Sequence, residues 1–478
     1  MRFPSEQLTH DNTQRDPLTM STESSPISTS RRGFLKSTGT IAAAGALSGV
    51  VLPHVHAASG DTIRIALIGS GGRGTGAAGN ALSARNGPVK LVAMADVFPD
   101  KLKTSYEGLK NQFGDKVDVP EDRRFIGFDG AQKAMSVLNK GDIVIFATPP
   151  AFRWPFFQQA IDKGINVFME KPVAVDAPTA KRMIELSDLA TKANIKVGVG
   201  LMCRHCRSRQ ELHKKIQDGA IGQIITMRSY RMHGPVGSAF SQPMPDSEES
   251  ELLWQIRRFH SFLWASGGCF SDFYIHNIDE CCWMKNDWPI QAQASGGRNY
   301  RGENVDQNFD NYSVEYTFRD GTKYFHFGRT MAGCHDEFAS YAHGQNGLAV
   351  ISSEGHWPSK ARIYKAQKMT NSEIVWRTGK EGPDQDPYLL EWEDLIDAIK
   401  KDLPYNEAER GAKASLVTAM GRFAAHTGQV ITYDDYIKNP QEFAPGVNSF
   451  DMKSGPPLIS EGGKYPVPRP GLLKDREY

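Results

Sequence analysis

Three glycines, Gly69, Gly71 and Gly74, follow the apolar run IRIALIG in the spacing G-x-G-x-x-G, and no other stretch of the chain restricts its fold so tightly. Behind a strand, the first glycine permits a tight turn, the second lets backbone approach a pyrophosphate, and the third lets a helix pack closely on the strand. The positive helix end then attracts the phosphates. The loop Gly69, Gly71, Gly72, Arg73 and Gly74 is therefore expected to cradle a dinucleotide. Asp96 closes the next apolar run, KLVAMAD, 22 residues past Gly74. A carboxylate there accepts hydrogen bonds from a ribose 2′-hydroxyl and repels a 2′-phosphate, so NAD is the expected cofactor. Lys101 and Lys103, close by, keep NADP as the alternative.

Further runs extend the pattern: RFIGF near 124, DIVIFAT (142–148), NVFMEK (166–171) and KVGVG (196–200). Continuous apolar strands separated by helical stretches suit a doubly wound parallel α/β sheet buried on both faces. Beyond residue 200 the character changes. YSVEYTFRDGTKYFHF (312–327) alternates apolar and polar residues around Asp320-Gly321, which predicts a hairpin in an antiparallel sheet and hence an α+β second domain. The expected division is a leader over 1–57, a Rossmann domain over 58–200, a substrate domain over 201–440 and an extended Pro/Gly-rich tail over 441–478.

The leader carries its own signal. Arg31 and Arg32 in SRRGFLK precede the mild apolar run IAAAGALSGVV and the small-residue exit Val55-His56-Ala57, the pattern of a twin-arginine (Tat) secretory signal. The run is too short to span a bilayer, so an extracytoplasmic, periplasmic protein without stable membrane insertion is expected. Because that route carries folded proteins, a dinucleotide would travel inside its host and be held tightly. A net charge of +1 without clustered Lys and Arg argues against nucleic acid as a partner. The six cysteines do not form a disulfide framework. Cys203-Arg-His-Cys206 lacks a second pair at zinc spacing, and no metal is expected. His326, His335 and His343 read as structural.

Chemistry is expected at two places. Glu170-Lys171-Pro172 closes the fifth strand, at the carboxyl edge where ligands bind parallel sheets. GGCFSDFYIHNIDE (267–280) spaces Asp272, His276 and Asp279 along one helix face. Oxidising a carbinol carbon requires loss of its hydroxyl proton, a task for histidine; a carboxylate can orient the imidazole, and an ammonium group can steady the developing alkoxide.

GSGGRG, Glu170-Lys171-Pro172, GGCFSDFYIH, KKIQDGAIGQI (214–224) and NEAERGAKASLVTAMGRFAAHTGQ (406–429) together resemble the Gfo/Idh/MocA oxidoreductase superfamily over nearly the whole chain past the leader. The resemblance implies a Rossmann domain followed by a domain with a large open, mostly antiparallel sheet that builds a homo-oligomer. It also implies Lys171 as the catalytic lysine, Asp272 as the support of the base, His276 as the proton-transferring histidine, and Thr148, Pro149, Glu170 and Lys171 among the cofactor contacts. The chain departs from the pattern in PPAFRWPFF (149–157), which lacks a histidine soon after Thr-Pro, and in MCRHCRSR (202–209). Arg204 and Asp279 stand as substrate contacts, with a structural ion pair as the other role for Arg204. The expected activity is hydride transfer at a sugar or polyol carbon by an NAD(P)-dependent oxidoreductase. The alternatives are a redox-neutral, NAD-dependent glycoside hydrolase, with Tyr274 or Asp279 for C–H abstraction, and a non-catalytic carbohydrate-binding module.

Overall fold

Six short apolar strands lie side by side as a parallel sheet in the order β3-β2-β1-β4-β5-β6: β1 Ile63–Ile68, β2 Val89–Asp96, β3 Arg124–Ile126, β4 Ile143–Phe146, β5 Asn166–Met169 and β6 Val197–Val199. These come from a computed structural model that describes residues 62–356, 359–379 and 386–478. The leader, with its twin-arginine signal, lies outside the described residues. Every residue of β4 and β5 is buried, which is why those strands read as unbroken apolar runs. Helices α1 (Gly72–Ser83), α2 (Pro99–Phe113), α3 (Gly130–Ser136), α4 (Arg153–Lys163) and α5 (Ala177–Lys192) make the crossovers. The strand order reverses between β1 and β4, and ligands bind such sheets at the carboxyl edge of that switch point.

After α6 (Arg207–Gln217) the chain builds a nine-stranded sheet in the order β14-β13-β12-β11-β7-β10-β9-β8-β15. Its strands are β7 Ile224–His233, β8 Gln291–Gly297, β9 Asn311–Thr317, β10 Lys323–Thr330, β11 Glu337–Gly344, β12 Leu348–Ser353, β13 Arg362–Tyr364, β14 Ile374–Arg377 and β15 Ile431–Thr432. All neighbours are antiparallel except β7 and β10. β10 alternates half-buried and buried along its whole length, so one face is core. Short helices α7 (Glu251–Arg257) and α8 (Leu263–Ser266) lead into α9 (Gly268–Lys285), which lies on that face. The expected hairpin is β9–β10, turning at Asp320-Gly321, where Gly321 takes φ +84°.

Three later segments tie the halves together. Helix α10 (Pro387–Lys400) follows the second sheet in the chain but covers the first, with Trp392 stacked on Phe168 of β5 at 4.3 Å. Just beyond it, Asn406 bridges to Val197 and Glu407 accepts the Val199 amide. Helix α11 (Ala408–Thr427) packs on α5 and α9, and the short α12 (Tyr433–Tyr436) leads to the extended tail. Near the tail's end, Glu477 is buried against Arg422 and His426 of α11. Among the described residues, no helix is long and apolar enough to cross a membrane.

Candidate active site

The glycine turn behaves as its spacing predicts. Gly69 has φ +91°, and a Cβ there would lie 2.6 Å from the Ala147 and Thr148 backbone of β4's exit. A Cβ on Gly74 would sit 1.9 Å from the Gly69 carbonyl oxygen, so α1 closes directly on β1. At Gly71 and Gly72, by contrast, a Cβ would meet nothing within 4 Å. The two glycines therefore border open space at the start of α1, in a cavity of about 230 Å³ lined also by Asp96, Thr148, Pro149 and Phe152. Asp96 accepts the Ser70 amide at 2.6 Å and the Phe98 amide at 2.9 Å. Burial pushes its carboxyl pKa up, against those bonds. A bare turn at a helix start with a carboxylate on the adjoining strand end fits a dinucleotide.

Two residues of the expected cofactor set are turned to each other. Arg73 pairs with Glu170 at 2.9 Å and lies over the Tyr388 ring. The Glu170 carboxylate occupies the space a side chain at 200 would need, 2.6 Å from the missing Cβ of Gly200. Arg153, within the stretch that lacks a histidine, was not singled out in the sequence. It is buried, donates to Thr148 Oγ1 at 2.8 Å and to the Glu170 carbonyl at 3.0 Å, and so fastens the ends of β4 and β5 to each other.

The two stretches that carry the expected chemistry meet at the carboxyl edge of β5. Lys171 Nζ donates to the Asp272 carbonyl at 2.6 Å and lies 3.4 Å from its Oδ1. The other carboxylate oxygen, Oδ2, lies 3.2 Å from Nε2 of His260. Burial works against a charged carboxylate, but Lys171 and His260 outweigh it and hold Asp272 well below the usual range. This corrects the expected pairing, in which Asp272 orients His276. The spacing puts both residues on one face of α9, yet a short carboxylate goes to the donors that reach it from other elements. His276 packs its ring on His356, centroids 4.5 Å apart, and its Nδ1 has no hydrogen-bond partner. Burial first, then the charges of Lys171 and Arg231, push its pKa well below the ordinary value, leaving a neutral imidazole. His260 carries no motif in the sequence and could not have been found there.

Arg204 and Asp279 engage each other. The guanidinium donates two hydrogen bonds, at 2.9 and 2.7 Å, to a carboxylate that is 1% exposed, so the pair takes the structural role. Tyr274 is fully buried and faces Gly328, where a Cβ would lie 2.2 Å from its ring. Cys203, Glu280 and His356 bring donor atoms within 4.8 Å of one another, but Arg209 already sits 3.5 Å from Glu280 as its counter-charge.

Residues 63–201 match the model of an oxidoreductase family, Gfo/Idh/MocA, described as its NAD-binding Rossmann fold. The inositol 2-dehydrogenase of Corynebacterium glutamicum (strain ATCC 13032) is 28% identical over 127 residues, which is 27% of this chain and 36% of that protein. A glycosyl hydrolase family 109 protein of Shewanella pealeana is 26% identical over 225 residues, 46% of this chain and 41% of its own. The chain thus spans well under two thirds of these relatives' lengths. The scyllo-inositol dehydrogenase of Lactobacillus casei, solved with NAD(H) and scyllo-inositol, superposes with a TM-score of 0.57 at 21% identity, over 78% of this chain and 100% of that one. At that identity the likeness establishes the fold: a parallel Rossmann sheet followed by a mixed, mostly antiparallel sheet.

Proposed function

We propose that this chain, whose residues 63–201 carry the NAD-binding Rossmann fold of the Gfo/Idh/MocA oxidoreductase family, is an NAD-dependent oxidoreductase acting at a hydroxyl-bearing carbon of a sugar or polyol. One observation carries the reading: the Lys171 ammonium, pinned 2.6 Å from the Asp272 carbonyl, shares its surroundings with the neutral imidazole of His276 one helical turn on. Gly71, Gly72 and the amides opening α1 would hold the pyrophosphate, and Asp96 a ribose hydroxyl. The nicotinamide, when bound, supplies the acceptor for hydride. His276 takes the hydroxyl proton on its neutral imidazole. Lys171 steadies the substrate oxygen as it gains negative charge, and Asp272 keeps the lysine in place from both its carbonyl and its carboxylate.

The protein is best tested as isolated from its expected extracytoplasmic compartment, with any nucleotide released by denaturation and identified. A bound nucleotide that changes redox state on exposure to sugars or polyols supports the proposal. Cleavage of a glycoside without net reduction would replace it with the hydrolase reading, to which the similarity to a glycosyl hydrolase family 109 protein lends weight. That reading ranks second, because Asp279 is paired with Arg204 and Tyr274 is fully buried in the core. A protein without nucleotide or chemistry would be a binding module.

Two further outcomes are expected. Because the depressed His276 pKa keeps the imidazole unprotonated as pH falls, kcat/KM should stay flat from about pH 8 down through the ordinary imidazole value of 6.5. A downturn centred at that value would place the proton acceptor in an ordinary solvated imidazole instead. Asp96→Ala should weaken NAD⁺ binding roughly tenfold, the scale of one charge-assisted hydrogen bond, and narrow discrimination against NADP⁺. Titration of intrinsic fluorescence with each nucleotide measures both; an unchanged ratio would take Asp96 out of cofactor choice.

A further inference from the structure

The charges of three cationic side chains, Lys171, Arg231 and Arg73, bear on the proposed proton acceptor, and two of them have an acid. Lys171 has Asp272 and Arg73 has Glu170, at 3.4 and 2.9 Å. Arg231, near the end of β7, is the exception: among the described residues no carboxylate comes within ion-pair distance of it, and its buried Nε has no hydrogen-bond partner. Its guanidinium lies 3.8 Å over the Phe338 ring, which covers one flat face of the fork. Phe338 meets His356 edge-on at 4.3 Å, and His356 meets His276 at 4.5 Å, so an unbroken line of rings joins Arg231 to the proton acceptor. The same region holds further buried ring nitrogens without partners, Nε2 of His233 and Nε2 of His356.

A half-buried guanidinium without an acid costs free energy unless something else supplies the negative charge. We propose, building on the oxidoreductase reading, that the substrate is a sugar acid whose carboxylate is held by Arg231, with His233 and His356 taking its hydroxyls. The guanidinium fork matches a carboxylate through two parallel N–H bonds. A single charge also matches one arginine: a dianionic phosphate would leave a negative charge uncompensated close to Asp272. The two imidazoles are kept neutral by burial; His233 donates from Nδ1 to the Gly234 carbonyl and so offers Nε2 as an acceptor, whereas His356 can donate or accept.

The test compares D-glucuronate and D-gluconate with D-glucose on the NAD-loaded full chain, by calorimetric binding and by reduction of the nucleotide. The acids should bind about 10- to 100-fold more tightly than glucose, the range of a charge-assisted pair. Arg231→Gln should abolish that preference while changing glucose affinity and NAD⁺ affinity by less than about threefold, and Arg231→Lys should restore part of it. Thermal melts of the variants separate a local effect from unfolding. Glucose bound as well as the acids, no binding of either acid at millimolar concentration, or equal losses for acid and neutral sugar in Arg231→Gln would each overturn the proposal. Tight binding of an acid without any change in the nucleotide would leave the carboxylate site standing and sink the oxidoreductase reading instead.

Discussion

Replacing Lys171 by methionine should lower kcat by about 10²- to 10³-fold, the cost of removing one preorganised donor from a developing oxyanion. Nucleotide affinity should stay within about threefold, because the glycine turn and Asp96 hold that ligand without the lysine. Methionine keeps most of the side-chain volume, and His260 remains as a partner for the Asp272 carboxylate. A second effect distinguishes this role from a structural one. Lys171 is the leading charge that lowers the His276 pKa after burial itself, so its removal lets that pKa rise and moves the acid limb of kcat/KM to higher pH. Steady-state kinetics across pH, with nucleotide binding measured separately, decides the matter. A loss below tenfold, or an unmoved acid limb, would remove Lys171 from the reaction.

Arg422→Met should destabilise the protein by about 3–5 kcal/mol, the range for stranding one partner of a buried ion pair. The guanidinium reaches four groups at once: the Glu477 carboxylate at 2.8 Å, the carbonyls of Gly267 and Val175 at 3.0 and 2.8 Å, and Ser271 Oγ at 2.6 Å. Burial opposes the Glu477 charge, but Arg422 and His426 hold its pKa down at about 2; without the arginine the buried carboxylate must either stay charged without its main partner or take up a proton, and both cost stability. The double variant Arg422→Met, Glu477→Leu should recover much of the loss, since no charge is then left without a partner. Gly267 and Ser271 flank the first turn of α9, so the single variant should also lose activity through displacement of Asp272. Urea unfolding of the wild type and both variants measures the energies; a single-variant cost under about 1 kcal/mol would mean that water reaches Glu477.

Much of the fold was legible because its physics is local. Strands buried on both faces leave continuous apolar runs, and a half-exposed hairpin leaves alternation around Asp320-Gly321. The glycine turn was legible because a Cβ at Gly69 or Gly74 would collide with backbone. The site was legible only where both partners lie in one motif or at the end of a strand. Asp272 and His276 were found together by their helical spacing, but the groups that Asp272 touches come from residues 171 and 260, about which the spacing on α9 says nothing. Arg204 meets Asp279 across 75 residues of chain, so their mutual neutralisation has no local trace. Arg231 and His356 likewise sit in strand and loop segments whose composition is ordinary.

The return of α10 to the first sheet sets a schedule for the ribosome. All six strands of the dinucleotide domain emerge by residue 199, but the helix that covers Phe168 with Trp392 is not made until about two hundred residues later. Until then the part of the parallel sheet around Phe168 is open to water or to a chaperone, while α1 and α2 cover the rest of that face. The first sheet is therefore completed only after nearly all of the second has been synthesised.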